Sequence, residues 1–197
     1  MAKIGLRDPY YAVVTVTTGT GGAEEESIGT AKRLAKAVQL QTNVNAPTTK
    51  LYADDGAAES INEFIDGSGT LTVDELEDDA EVDLYNATKI ATANDIVNKA
   101  TDTSAYVRFG YVIRRIKGGV TAYRGIVLAR VQFVIPSEQW DTKGEQIVLN
   151  TTQLPFNFYR DIREVWRRRS PWQNTYAAAQ TWMLAKIVQA DLTVAGT

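Results

Sequence analysis

Along most of the chain apolar and polar residues alternate with a period of two, the pattern of strands that bury one face and wet the other. Tyr10 to Thr17 (YYAVVTVT) is rich in β-branched and aromatic residues and reads as a strand. In Leu34 to Val44, Val38, Leu40, Thr42 and Val44 fall on one face, and Gln39, Gln41 and Asn43 on the other. The first set is expected to pack on the core and the second to meet water. Lys50 to Ala53, Ser60 to Phe64 and Gly69 to Leu76 are shorter strands, with Asp54-Asp55-Gly56 as a turn. In Gly69 to Leu76, Leu71 and Val73 alternate with Thr70, Thr72 and Asp74. Tyr106 to Ile116 and Val120 to Val134 form the longest pair, joined as a hairpin by Lys117-Gly118-Gly119. Glu145 to Tyr159 continues the strand pattern, and Pro155 within it predicts that part of it is an edge.

Two segments switch to helical spacing. Glu77 to Asn86 has an acidic first turn, suited to the positive end of a helix dipole, and places Val82 and Tyr85 on one face. Asn174 to Ile187 carries Ala179, Trp182, Met183 and Lys186 at helical intervals, with Asn174 as the expected cap. Between the elements, 18–30 is glycine-rich and then acidic (Glu24, Glu25, Glu26), which predicts a mobile loop. Pro136 to Gly144, with Trp140, reads as a polar loop, and Arg160 to Arg169 as a basic linker leading into the last helix of a 160–197 segment. No internal repeat is visible and no low-complexity tract exceeds a few residues, so a single, mainly β domain over residues 1–197 is expected.

Composition narrows the chemistry. The 197 residues contain no cysteine and no histidine. Disulfides, thiolate sites, histidine metal sites and triads built on histidine are excluded, and an enzyme is not expected. No run approaches the length of a membrane span, and the first residues lack the apolar core of a secretory signal, so a product that stays in the cytoplasm and off membranes is expected. Net charge is −3, but it is unevenly spread. Residues 1–103 hold 18 acidic and 8 basic side chains, net −10; residues 104–197 hold 6 and 13, net +7. Such polarity suits contacts in which the acidic surface of one copy meets the basic surface of another.

Isolated motifs add little. Gly19-Thr20-Gly21-Gly22 lacks the Gly-Lys-Ser/Thr of a phosphate loop, and Glu24-Glu25-Glu26 would repel phosphate. Asp78, Asp79, Glu81 and Asp83 do not have calcium-loop spacing. The sequons at Asn86 and Asn150 have no meaning without a secretory route. Arg167-Arg168-Arg169 between Trp166 and Trp172 could meet nucleic acid, but three arginines in a chain of net charge −3 fit a solvated linker or subunit contact better.

The order of segments resembles the major tail protein, or tail tube subunit, family of long non-contractile-tailed phages. The resemblance rests on Met1 to Leu6 followed by Asp8 to Ala12, on Leu51 to Glu59 with Glu63-Phe64, and on Gly69 to Leu76 before an acidic helix. It continues through Pro136-Ser137-Glu138, Thr142 to Glu145 and a final helix with Trp182 and Leu184. The basic stretch Trp166 to Trp172 departs from the family pattern. The resemblance implies a β-sandwich or barrel-like tail tube fold with a short middle helix and a C-terminal helix. It implies a structural virion protein, assembled in the host cytoplasm into hexameric rings that stack into a tube. Expected partners are tail tip, tail terminator and tape measure proteins, with phage DNA passing through the lumen unbound. No cofactor and no reaction are implied. A ring subunit of a bacterial injection or secretion device would share this fold. From other classes, a hydrolase using paired carboxylates and a DNA-binding module on the 160–172 arginines remain alternatives.

On the tube reading, Gln39, Gln41, Asn43, Thr70, Thr72 and Asp74 are the candidates to face the lumen, because amides and hydroxyls form no ion pair with phosphate. Glu24, Glu25 and Glu26 are the acidic candidates for subunit contacts, and Arg114, Arg115, Lys117 and Arg124 their basic counterparts.

Overall fold

A computed structural model describes residues 2–19, 22, 24–53, 56–90, 92–93, 95–136 and 151–190, with backbone alone at 2–4 and 49–61. The turn expected at Asp54-Asp55, the loop expected around Trp140 and the strand start expected at Glu145 lie outside these residues.

The chain is mainly β, and every named strand pairing is antiparallel. The strands are β1 (Ala2–Thr18), β2 (Glu24–Ile28), β3 (Lys32–Arg33), β4 (Ala37–Asn45), β5 (Thr48–Ala53), β6 (Gly56–Asn62) and β7 (Asp66–Val73). After α1 (Asp78–Tyr85) come β8 (Thr88–Ile90), β9 (Asp95–Val97), β10 (Tyr106–Lys117), β11 (Val120–Phe133), β12 (Thr152–Tyr159) and β13 (Arg167–Arg169); α2 (Tyr176–Ile187) follows. Nine strands form one sheet in the order β2-β1-β10-β11-β12-β7-β4, with β3 on β1 and β13 on β11. β5–β6 and β8–β9 are separate hairpins.

The β10–β11 hairpin is the spine of this sheet. Gly118 and Gly119 both adopt positive φ, 57° and 78°, as a two-residue turn matched to strand twist requires. One face of the sheet curls around a core that joins Tyr11 of β1, Leu71 of β7 and the rings of Phe109, Phe133, Phe156 and Phe158. β1 and β7 are far apart in strand order, so sharing this core requires the curl. α1 joins it through Ala80, Leu84 and Tyr85. The opposite face of β1, β10 and β11 holds a second core, where Ala12, Val112, Val127 and Ala129 meet Ala179, Met183 and Ile187 of α2.

Three local expectations are corrected. The segment from Glu24 is not a loop: β2 pairs with Val14 to Thr18, so backbone hydrogen bonds hold the three glutamates in a strand. Arg167 to Arg169 is not linker but β13, paired with Ile126 to Leu128. α2 is capped by Thr175, whose hydroxyl accepts from the Ala178 amide at 3.3 Å, rather than by Asn174. β12 lies between β7 and β11, but its register with β11 begins only at Phe156–Phe133, so Thr152 to Pro155 pair with β7 alone and form the edge that Pro155 predicts.

Candidate functional site

The expected polar face exists as a continuous surface wider than the sequence indicated. In β4 and β7, Gln39 pairs with Thr72, Gln41 with Thr70 and Asn43 with Ser68. β12 extends the rows: Thr72 meets Gln153, Thr70 meets Pro155 and Ser68 meets Asn157. Asn157 in turn pairs with Gln132 of β11. Successive strand residues point to opposite faces, so these side chains share one side of the sheet. Gln39, Gln41, Asn43, Ser68 and Gln153 are exposed and carry no charge. An open depression over this face is lined by Gln41, Asn43, Ser68, Thr70 and Asn157. Ser68, Gln153 and Asn157 were not singled out from the sequence, although the alternation of Gln153, Pro155 and Asn157 against Leu154, Phe156 and Phe158 carries the signal.

The underside is apolar in part only. Leu40, Leu71 and Leu154 align across three strands. Val38 and Val44 were expected there too, yet they are 60% and 40% exposed. The register shifts between Ala37 and Gln39, a bulge that leaves Val38 without a partner and turns it out of the alternation. Asp74 does not belong to the polar face. It lies just past β7, where its carboxylate accepts from the Lys36 amide at 3.0 Å and pairs with Lys36 Nζ at 3.4 Å.

The three glutamates separate. Glu24 and Glu25 are exposed on β2. Glu26 is withdrawn as a free contact residue: its side chain is 1% exposed. Its carboxylate lies 2.5 Å from Arg130 of β11 and 3.7 Å from the fully buried Arg108 of β10. Arg108 also donates to the Gln189 carbonyl just beyond α2. This cluster ties β2, the central hairpin and the end of α2 together. Glu26 therefore stabilises the subunit, since a charge is buried only with partners.

Of the basic candidates, Lys117 is exposed beside the hairpin turn, and Arg114 lies opposite Tyr123 on the α2 side. Arg115 and Arg124 lie on the other side and stack on Trp172, their guanidinium carbons 3.9 Å and 4.3 Å from its ring centre. Register places Arg167 and Arg169 of β13 on the same face, opposite Leu128 and Ile126. Burial and then the neighbouring Arg169 and Arg115 charges hold the Arg124 pKa below its usual value; burial and Arg169 do the same to Arg167. Among the described residues no carboxylate pairs with Arg115, Arg124, Arg167 or Arg169.

The tryptophans are not open stacking platforms. Trp166 has the Phe64 ring parallel to it at 4.5 Å and the Arg167 guanidinium 4.2 Å from its ring centre. Trp172 already carries two guanidiniums. Among the described residues no group of three acidic side chains is placed to hold a metal, and no helix is long and apolar enough to cross a membrane. No family model matches the chain, and no curated protein matches it.

Proposed function

We propose that this protein is a structural subunit that assembles into stacked hexameric rings, forming the tail tube of a long non-contractile-tailed phage. The observation that carries the proposal is the polar face of β4, β7 and β12, which presents amides and hydroxyls with the Asp66 carboxylate at its end and no lysine or arginine on these three strands. A conduit for DNA has to hydrate a dense polyanion without holding it. Lysine or arginine on its wall would release counterions and bind phosphate. Glutamine, asparagine, serine and threonine stay wet and form no ion pair. A wet face of amides and hydroxyls, three strands wide and backed by Leu40, Leu71 and Leu154, suits that wall. The resemblance in segment order supports the same reading, as does a β fold with a short middle helix and a C-terminal helix. No chemistry is required of the subunit.

The test is negative-stain microscopy of the purified protein at rising concentration, with and without tail tip components. Hollow rings or tubes with sixfold symmetry support the proposal. A protein that stays monomeric under all these conditions overturns it.

A further inference from the structure

The charge asymmetry of the sequence maps onto the two ends of the β10–β11 hairpin. At the turn end sit Arg114, Arg115, Lys117 and Arg124, with Arg169 beside them. At the open end sits α1, whose Leu84 carbonyl accepts from the Ala105 amide and whose Tyr85 hydroxyl donates to the Val134 carbonyl. β7 also ends there, because Val73 pairs with Thr152, past the last β11–β12 pair at Phe133–Phe156. Asp74, Glu75, Glu77 and Asp78 therefore crowd this end, all exposed. Val134, just past β11, lies ten positions after Arg124, about 30 Å at the ~3.3 Å rise of a strand. The two clusters cannot neutralise one another within one subunit.

We propose that the arginine cluster around Trp172 is a docking site for the acidic turn that opens α1 in a second copy of this chain. Three observations favour that occupant. Arg115, Arg124, Arg167 and Arg169 have no carboxylate partner among the described residues, while Trp172 holds two of them in fixed positions. Glu75, Glu77 and Asp78 form none of the ion pairs among the described residues, and they stand on a short, anchored turn and helix rather than a loose tail. The groups already stacked on the two tryptophans, Phe64 and Arg167 on Trp166 and two guanidiniums on Trp172, compete with the stacking of bases that nucleic acid would bring. Because donor and acceptor lie at opposite ends, the contact is heterologous: each copy that docks presents the same free cluster to the next. This inference rests on the tube reading and supplies the contact by which one ring stacks on another.

The experiment uses the full chain in three forms: wild type, Arg115→Glu with Arg124→Glu, and Glu75→Lys with Glu77→Lys and Asp78→Lys. The second variant changes exposed residues only, and circular dichroism checks the fold of both. Sedimentation and light scattering at low and high salt follow assembly. Each variant alone should need more than about tenfold higher concentration to assemble, the scale set by like charges juxtaposed at an interface. Mixed one to one, the two should assemble again, in alternation. Wild-type assembly should weaken as salt rises. Unimpaired assembly of either folded variant alone, or no rescue in the mixture, overturns this docking contact and leaves the tube reading standing. A wild type that stays monomeric at both salts overturns both. Normal assembly of the arginine variant, combined with loss of wild-type binding to a short DNA duplex, would assign the cluster to phosphate instead.

Discussion

The carboxylate of Glu26 reaches from β2 to within 2.5 Å of Arg130 Nη2 on β11, across 104 positions of sequence. Among the described residues it also lies 3.7 Å from the buried Arg108, so two guanidiniums share one carboxylate. Removing the anion takes away the carboxylate that these two guanidiniums share in a largely buried region. Glu26→Ala should therefore destabilise the fold by about 3–5 kcal/mol. Glu24→Ala and Glu25→Ala, at exposed positions, should stay within about 0.5 kcal/mol. Urea denaturation of the three variants checks this, and equal effects at all three positions would contradict the buried cluster.

The polar face yields a second expectation. Gln39→Lys and Gln41→Lys lie at exposed sites, so stability and assembly should be unchanged. If this face lines a DNA conduit, ejection from particles carrying either variant should slow, most at low salt where phosphate attraction is least screened. Normal ejection rates at low salt would remove this face from the lumen.

Two glycines of β7 make a third. A Cβ on Gly67 would lie 2.0 Å from the Phe158 ring, and one on Gly69 would lie 2.4 Å from Phe156 and 2.6 Å from the Gln41 carbonyl. The Phe156 and Phe158 rings occupy the space a Cβ would need at these points, so no side chain fits. Gly69→Ala should cost about 1–3 kcal/mol through overpacking, read as a lower denaturation midpoint. Gly118, with nothing near its absent Cβ, loses stability on substitution only through its positive φ.

The tyrosines set the alkaline limit. Burial raises the pKa of Tyr11, Tyr85, Tyr111 and Tyr159 above the ordinary value of 10.0, and at Tyr11 the hydrogen bond to Asp83 adds to it. Unfolded, these phenols would ionise near 10; folded, they hold their protons to higher pH. Their contribution is fully present below pH 10 and is lost as pH climbs from there through the folded values, because the unfolded state then binds fewer protons. Stability should fall steeply above pH 10, and Tyr11→Phe should soften that fall. Denaturation midpoints against pH, alongside phenolate absorbance, provide the measurement.

What could be read from the sequence followed from local rules. Strict alternation revealed the Gln39–Gln41–Asn43 face, and Gly118-Gly119 located the hairpin, because both signals involve neighbours in the chain. The departures come from contacts made far along it. Val38 leaves its expected face because one bulge shifts register against β7. Three consecutive arginines become a strand because β11 offers backbone hydrogen bonds irrespective of side chain. Glu26 is buried by partners 82 and 104 positions away, Arg108 and Arg130, which no window around Glu24 to Glu26 contains.

The separation of charge along the β10–β11 hairpin has a consequence for any filament grown through it. Its two terminal surfaces would differ, one bristling with guanidinium groups and the other with carboxylates. A small polyanion should then plug only the first and a polycation only the second. Elongation would be directional, and its halting could be commanded separately at each extremity by a molecule of suitable sign.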